Sequence, residues 1–396
     1  MSEYPFSNRS TCNRARWRPV KRPLLAAMGV LLLNVGAAWA DTLDDAMAAH
    51  NRGDYSYALR VYEPLAAQGN TKAQSGLGYM YLIGQGVKKD YAEAFKWYRM
   101  AAAQGEAAAQ VMVGSLHESG LGVPADDAEA LNWYRMAATQ GNAQGQFRLG
   151  MMYAKGRGVA QDYAEAAKWY RLAAVQGEVE AQLELGLMYE EGRGVRQDYA
   201  EALVWLRPPA ERGIAAAEFE LGLMSRAGRG LTQDYAEALK WYRLAAAHGS
   251  AEAQNEIGLM YDNGQGVTKN GSAALRWYRL AASQGSAKAQ FNVGWAYYNG
   301  QGITRDYKQA IDWYRLAAKQ GNAQAQTNLG LMYAQGQGVT MDYVRAYAWF
   351  SLGADSGSAH ATKDRDTIER LMGPNEVARA RKMASDCRQR KFKECE

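Results

Sequence analysis

The chain is poor in the residues that mark several protein classes. It has 396 residues with only three Cys, four His and eight Pro, and 48 % of its residues are hydrophobic. That balance excludes a disulfide-dense miniprotein and a disordered chain. The four His, His50, His117, His248 and His360, are far apart and make no metal-ligand spacing, so no metal and no cofactor is expected. No segment is apolar over the roughly 20 residues that a membrane-spanning helix needs, the longest stretch being the 15 residues from 24 to 38. Surplus positive charge is also missing where it would matter. The net charge is +5, but six basic residues and one acid lie in the first 40 positions, and the remainder holds 40 basic and 40 acidic side chains. Binding to duplex nucleic acid relies on neutralising phosphates, so nucleic acid is not an expected partner.

The beginning of the chain reads as an export signal. Positions 1–23 are basic, 24–38 are apolar, and Ala38-Trp39-Ala40 gives a small-x-small site before Asp41. Asp41 stands where a lipoprotein would carry Cys, and no twin-arginine pair is present. The expected destination is the periplasm, with secretion beyond it as the alternative. Cys387 and Cys395 remain after removal of the signal, and the simplest reading of this even pair is one disulfide.

What is abundant is repetition. A 36-residue register starts at Asp54, Asp90, Asp126, Asp162, Asp198, Asp234, Asn270 and Asp306, restarting at Asp342, so eight units fill 54–341 without insertion. In the unit from Asp90, the Asp is a natural N-cap and Glu93 makes a variant capping box. Ala94, Trp97, Tyr98, Ala101 and Ala102 then follow helical spacing, and Gly105 ends the helix. A second helix is expected over 178–191, with Ala181, Leu185, Met188 and Tyr189 on one face and a glycine turn at Gly192 and Gly194. Eight glycines, among them Gly78, Gly114 and Gly258, interrupt the second helices at a cost of about 1 kcal/mol each relative to Ala. A ring laid over the bare backbone would offset that cost, and the recurring Trp97, Trp133, Trp169, Trp205, Trp241, Trp277, Trp313 and Trp349 are the expected rings. Pro64 and Pro208-Pro209 should kink or shorten the first helices that carry them.

The fixed columns A-E-A-x-K-W-Y-R-x-A-A, Q-G, A-x-A-Q-x-x-L-G-x-M-Y and G-x-G-V resemble those of the Sel-one-like repeat, a relative of the tetratricopeptide repeat. The resemblance implies an all-α, right-handed superhelical solenoid of antiparallel helix pairs with a concave groove. A short cap at 41–53 would open the array, and a helical cap with a Cys-containing tail at 342–396 would close it. The resemblance also implies assembly or regulation of protein complexes rather than catalysis.

Chemistry was sought against that background. No Ser has Lys three residues on, the cysteine pair per repeat found in some relatives is missing, and the G-x-G turns follow no strand. The Glu93-Lys96, Glu165-Lys168 and Glu237-Lys240 pairs read as a solvated face. His117 stands in a column filled mostly by Tyr and reads as a core substitution. The Arg99, Arg135, Arg171, Arg207, Arg243, Arg279 and Arg315 column could form a ladder for an anion, but pairing with Glu184, Glu220 and Glu256 is favoured. The seventh unit carries Phe291, Trp295, Tyr297 and Tyr298, and two of these, Trp295 and Tyr298, depart from the pattern. If this face lines the groove, Phe291, Trp295 and Tyr298 are candidate partner-binding residues, and Arg148, Asn292 and Asn328 add polar contacts. The expected function is a noncatalytic scaffold that holds a protein or peptide partner. Recognition of envelope glycan is the alternative, and a cell-wall or β-lactam hydrolase a more distant third.

Overall fold

In the computed structural model, the described residues are 42–390 together with Phe392 and Cys395. The expected signal at 1–40 lies outside them. Twenty helices and no strand occur among the described residues. α1 (Leu43–Asn51) opens the array. The first helices of successive units are α2 (Tyr55–Ala67), α4 (Tyr91–Ala103), α6 (Asp127–Thr139), α8 (Tyr163–Val175), α10 (Tyr199–Glu211), α12 (Tyr235–Ala247), α14 (Gly271–Ser283) and α16 (Tyr307–Ala318). The second helices are α3 (Thr71–Ile83), α5 (Ala107–Ser119), α7 (Ala143–Lys155), α9 (Val179–Glu191), α11 (Ala215–Ala227), α13 (Ala251–Asn263), α15 (Ala287–Asn299) and α17 (Ala323–Gln335). α18 (Tyr343–Asp355), α19 (Ala359–Glu369) and α20 (Pro374–Gln389) close it.

Local chemistry sets these boundaries. Asp90 Oδ1 accepts hydrogen bonds from the N–H groups of Ala92 and Glu93 at 2.9 and 3.1 Å, satisfying donors that the first turn leaves free. The Asp90 N–H donates to the Tyr81 carbonyl at 2.9 Å, which ties the cap to the preceding helix instead of to Glu93. The turn after each second helix needs left-handed backbone. Gly122, with φ +73°, also lies so close to the Tyr91 carbonyl that no side chain could fit.

The glycines inside the second helices are covered by rings, but not by the expected ones. A Cβ on Gly114 or Gly294 would lie 2.7 Å from the ring of Tyr134 or Tyr314, and one on Gly78 would lie 2.9 Å from Tyr98. The Tyr after each Trp is therefore the covering ring, replaced by Leu206 over Gly186 and by Phe350 over Gly330. One residue along a helix is a 100° turn, so only one member of the Trp-Tyr pair can face the preceding second helix. The Trp side chains sit half-buried on the flank, Trp97 against the first unit's core and Trp133 against the next, except Trp349, which is buried in the closing core.

The prolines do not shorten their helices: α2 and α10 have 13 residues, like their equivalents. Pro208 and Pro209 fall in the last turn of α10, and the Arg212 N–H still reaches their carbonyls. Second helices approach one another directly at α5 with α7, and α17 approaches the closing helix α19 in the same way, as expected if they form the inner layer of the superhelix. No described helix is long and apolar enough to cross a membrane. At the far end α20 packs on α18, and Cys387 and Cys395, with Cα atoms 4.9 Å apart, are buried in the closing core.

Candidate functional site

The residues that break the repeat pattern meet on the inner face of the last units. Phe291 of α15 lies 5.6 Å from the Tyr314 ring, and Trp295 stacks between Phe291 at 6.3 Å and Tyr298 at 6.1 Å. Tyr298 in turn lies 5.4 Å from Tyr307. Trp295 is 43 % exposed at the surface of this stack, whereas Phe291 and Tyr298 are half-buried supports. Phe147 and Phe219 occupy the column of Phe291 and lie over Tyr170 and Tyr242 at 5.8 and 5.7 Å, so Phe291 is a packing residue first.

Trp295 borders a depression of about 800 Å³ whose lining comes from α13, α14, α15, α17 and α19. Leu259, Phe291 and Leu331 supply its apolar wall, and Asn292, Asn328 and Asp262 its polar one. Asn292 Nδ2 donates to Asn255 Oδ1 at 2.8 Å. Asp262 Oδ2 accepts from the Tyr278 hydroxyl at 2.8 Å, and its Oδ1 accepts from Gln301 Nε2 at 2.9 Å. Burial raises the Asp262 carboxyl above the usual range, opposed by these two hydrogen bonds and by Lys269. Arg148 is not part of this depression. It belongs to α7, with Nη1 4.0 Å from Glu118 Oε2. Thus Phe291, Asn292, Trp295 and Asn328 come together, Tyr298 backs them, and Arg148 serves another level.

Asp262 belongs to a series with a two-unit period. Glu118 in α5 accepts from the Tyr134 hydroxyl at 2.8 Å and pairs with Arg157 at 2.6 Å, and Glu190 in α9 pairs with Arg229 at 2.8 Å. Each acid reaches a residue 39 positions on, in the turn that ends the next unit's second helix, and so braces two neighbouring units. Beneath Glu190 the tyrosine is replaced by Leu206, which has no hydroxyl to donate. Its neighbour Glu220 is instead pushed up to about 7 by burial and by the charges of Glu190 and Glu191.

The Arg column has partners other than the expected acids. Arg135, Arg243, Arg279 and Arg315 donate to the hydroxyls of Tyr153, Tyr261, Tyr297 and Tyr333 at 3.4, 3.3, 2.7 and 3.1 Å. Arg171 lies 5.5 Å from the Tyr189 ring centre. The Arg and Tyr belong to adjacent first and second helices 18 residues apart, an offset fixed by the loop, while Glu256 is held by Arg226 at 2.6 Å. The Lys96–Glu93 and Lys240–Glu237 pairs lie on the wet face as expected, at 3.1 and 2.7 Å. His117 lies edge-on to Phe95 at 5.3 Å, consistent with a core substitution. Asp262, Leu259, Leu331 and the bracing acids escaped the sequence reading, although the 72-residue recurrence of Glu118, Glu190 and Asp262 was there to be found.

The family model described as the Sel1 repeat matches eight consecutive segments, from 71–106 to 323–358. Each matched unit starts at a second helix and contains the glycine together with the ring that covers it. Among solved structures, a Sel1 repeat protein from Oxalobacter formigenes is similar, with 33 % identity over 83 % of this chain and 94 % of that chain and a TM-score of 0.64. A protective antigen present in uropathogenic Escherichia coli strains, displaying an SLR fold, has 31 % identity over 89 % of this chain and 92 % of that one, with a TM-score of 0.49. No curated protein matches.

Proposed function

Because the chain belongs to the Sel1 repeat family, we propose that it is an exported, noncatalytic scaffold that holds a segment of a partner protein along the inner face of its second helices. The observation that carries this reading is Trp295. It is a large aromatic side chain, 43 % exposed, stacked between half-buried rings and bordering a depression with both apolar and amide walls. Such an anchor gains affinity by burying its exposed face at little cost in order, since its neighbours already fix its orientation. Location in the periplasm rests on the export-type beginning of the chain. An oxidising compartment also agrees with the apposed Cys387 and Cys395, which we read as one disulfide that pins the tail to the closing core.

The test is affinity capture from envelope extracts with the wild-type chain and with the Trp295→Ala, Tyr298→Ala double variant, followed by mass spectrometry and by direct titration of the captured protein. A partner held by the wild type and at least about tenfold weaker with the variant supports the reading. Equal affinity for both places the interaction elsewhere. Fractionation of cells expressing the full chain, with blotting of periplasm and cytoplasm, tests the location.

A further inference from the structure

The depression at Trp295 continues along the array as a track, and the chemistry of its walls changes on the way. A second depression, of about 600 Å³, is lined by Phe219, Leu223, Glu252, Asn255 and Glu256, and a third, of about 390 Å³, by Leu187, Glu190, Glu191, Glu220 and Leu223. Leu223 is common to these two, and the Asn255–Asn292 hydrogen bond joins the second to the first. The three form one path over α9, α11, α13 and α15.

Carboxylates dominate the path, and several have no cation of their own. Glu190 has Arg229, Glu191 has Arg193, and Glu256 has Arg226. Among the described residues Glu220 and Glu252 make no ion pair, nor does Glu184, which continues the column of Glu220 and Glu256 onto α9, and Asp262 is held by neutral donors. Lys269 and Lys288 are the cations that border the path besides these. On α9 and α13 there is no Lys or Arg at all, and α11 has only Arg226. The apolar residues Leu187, Leu223, Leu259 and Trp295 run between the acids at one per unit, all in one column.

An independent feature lies beneath α11, where the Tyr242 ring covers Gly222. The Tyr242 hydroxyl is fully buried and has no hydrogen-bond partner, although the corresponding hydroxyls of Tyr134 and Tyr278 donate to Glu118 and Asp262. It faces Arg226, Glu256 and Glu220, and Arg226 occupies the position that would otherwise offer it a carboxylate. A buried donor left without an acceptor destabilises the level that holds it.

We propose that this track docks an extended cationic segment of a partner protein, with Lys or Arg side chains on Glu184, Glu220 and Glu252 and an apolar side chain against Trp295. The proposal rests on the reading of the inner face as the binding surface and adds the chemistry of what binds there. Bringing a cation to Glu220 favours its charged form over the influence of Glu190 and Glu191 on α9, with Arg229 and the Tyr242 hydroxyl as its other neighbours. Docking near neutral pH therefore releases a proton.

The test uses three labelled 12-residue peptides built from Ser and Leu, identical except that six positions are Lys, Gln or Glu. They are titrated against the full chain and against the Glu184→Gln, Glu220→Gln, Glu252→Gln triple variant, with circular dichroism to establish that the variant is folded. The Lys peptide should bind about tenfold tighter than the Gln peptide and the Glu peptide weakest, and the triple variant should remove that order while leaving the Gln peptide unchanged. Calorimetry in two buffers of different ionisation heat should detect the released proton for the Lys peptide. Equal binding of all three peptides, no binding of the Lys peptide at 1 mM on the order of weak recognition, or a preference that survives in the triple variant would overturn the proposal. Self-association abolished by the triple variant would assign the track to a second copy and overturn it too. Trp295→Ala separates the two readings: it should weaken all three peptides alike, whereas intact binding with the Lys preference retained would remove the anchor and leave the cationic track.

Discussion

At most joints of the array one side-chain pair recurs. A buried Gln near the start of a second helix accepts a hydrogen bond from a Gln 30 residues on, at the end of the next first helix: Gln74 from Gln104 at 2.9 Å, Gln110 from Gln140 at 2.7 Å, Gln146 from Gln176 at 2.8 Å, Gln254 from Gln284 at 3.0 Å and Gln290 from Gln320 at 2.9 Å. One joint uses different chemistry, with Glu218, 1 % exposed, 2.8 Å from His248 Nδ1. Changing His248 to Gln leaves Glu218 facing an amide in place of an imidazole. Changing Glu218 to Gln leaves the imidazole with a neutral partner. A hydrogen bond to a charged group contributes about 1.5–3 kcal/mol, and the His248 side chain is 45 % exposed, so about 1–2 kcal/mol is expected for each single change. The Glu218→Gln, His248→Gln double variant recreates the Gln–Gln bond of the other joints and should return to within about 0.5 kcal/mol of the wild type. The assay is a double-mutant cycle from urea midpoints, read together with local hydrogen exchange in α11 and α12, because a repeat array need not unfold as one unit. Additive losses, within about 0.5 kcal/mol, would refute the equivalence of the two pairs.

Three further outcomes follow from neighbouring geometry. Arg212 stands where most joints have Gln and donates to the Gly177 carbonyl instead, leaving Gln182 Oε1 buried without a partner among the described residues; Arg212→Gln should stabilise by about 0.5–1.5 kcal/mol, measured as a raised urea midpoint. Gly114→Ala places a methyl 2.7 Å from the Tyr134 ring, so about 1–3 kcal/mol of overpacking should outweigh the helix-propensity gain of about 1 kcal/mol and lower the melting temperature. Glu220, with its carboxyl raised from 4.5 to about 7, holds a proton in the folded chain that the unfolded chain has lost, so this group makes stability fall as pH rises from about 5 to 7. Glu220→Gln should flatten that fall by about 2 kcal/mol after allowance for solvent access, as followed by urea unfolding at pH 5, 6, 7 and 8.

The helices, their caps and their packing glycines were legible because each depends on residues within one turn of one another. Asp90 caps its own helix, and the glycine column announces close approach whatever approaches. The choice between Trp97 and Tyr98 as the covering ring was not legible, since both recur at the same period and only the relative rotation of two helices decides. The same holds for the Arg column: its Tyr partners sit 18 residues away, at a distance set by loop geometry. The aromatic departures at Trp295 and Tyr298 pointed to a surface that the structure brings to the inner layer. Its polar wall was hidden because Asp262 and Gln301 meet across 39 residues, and only the alternation of Glu118, Glu190 and Asp262 in every second unit hints at it.

The inner face of the second helices is the surface proposed to hold the partner. Hydrogen exchange of the full chain, with and without a saturating partner segment, tests it most directly. Slowed exchange should be confined to α9, α11, α13, α15 and α17, including the turn after Trp295, with the outer first helices unchanged. Protection concentrated on α8, α10, α12 and α14 instead would contradict it.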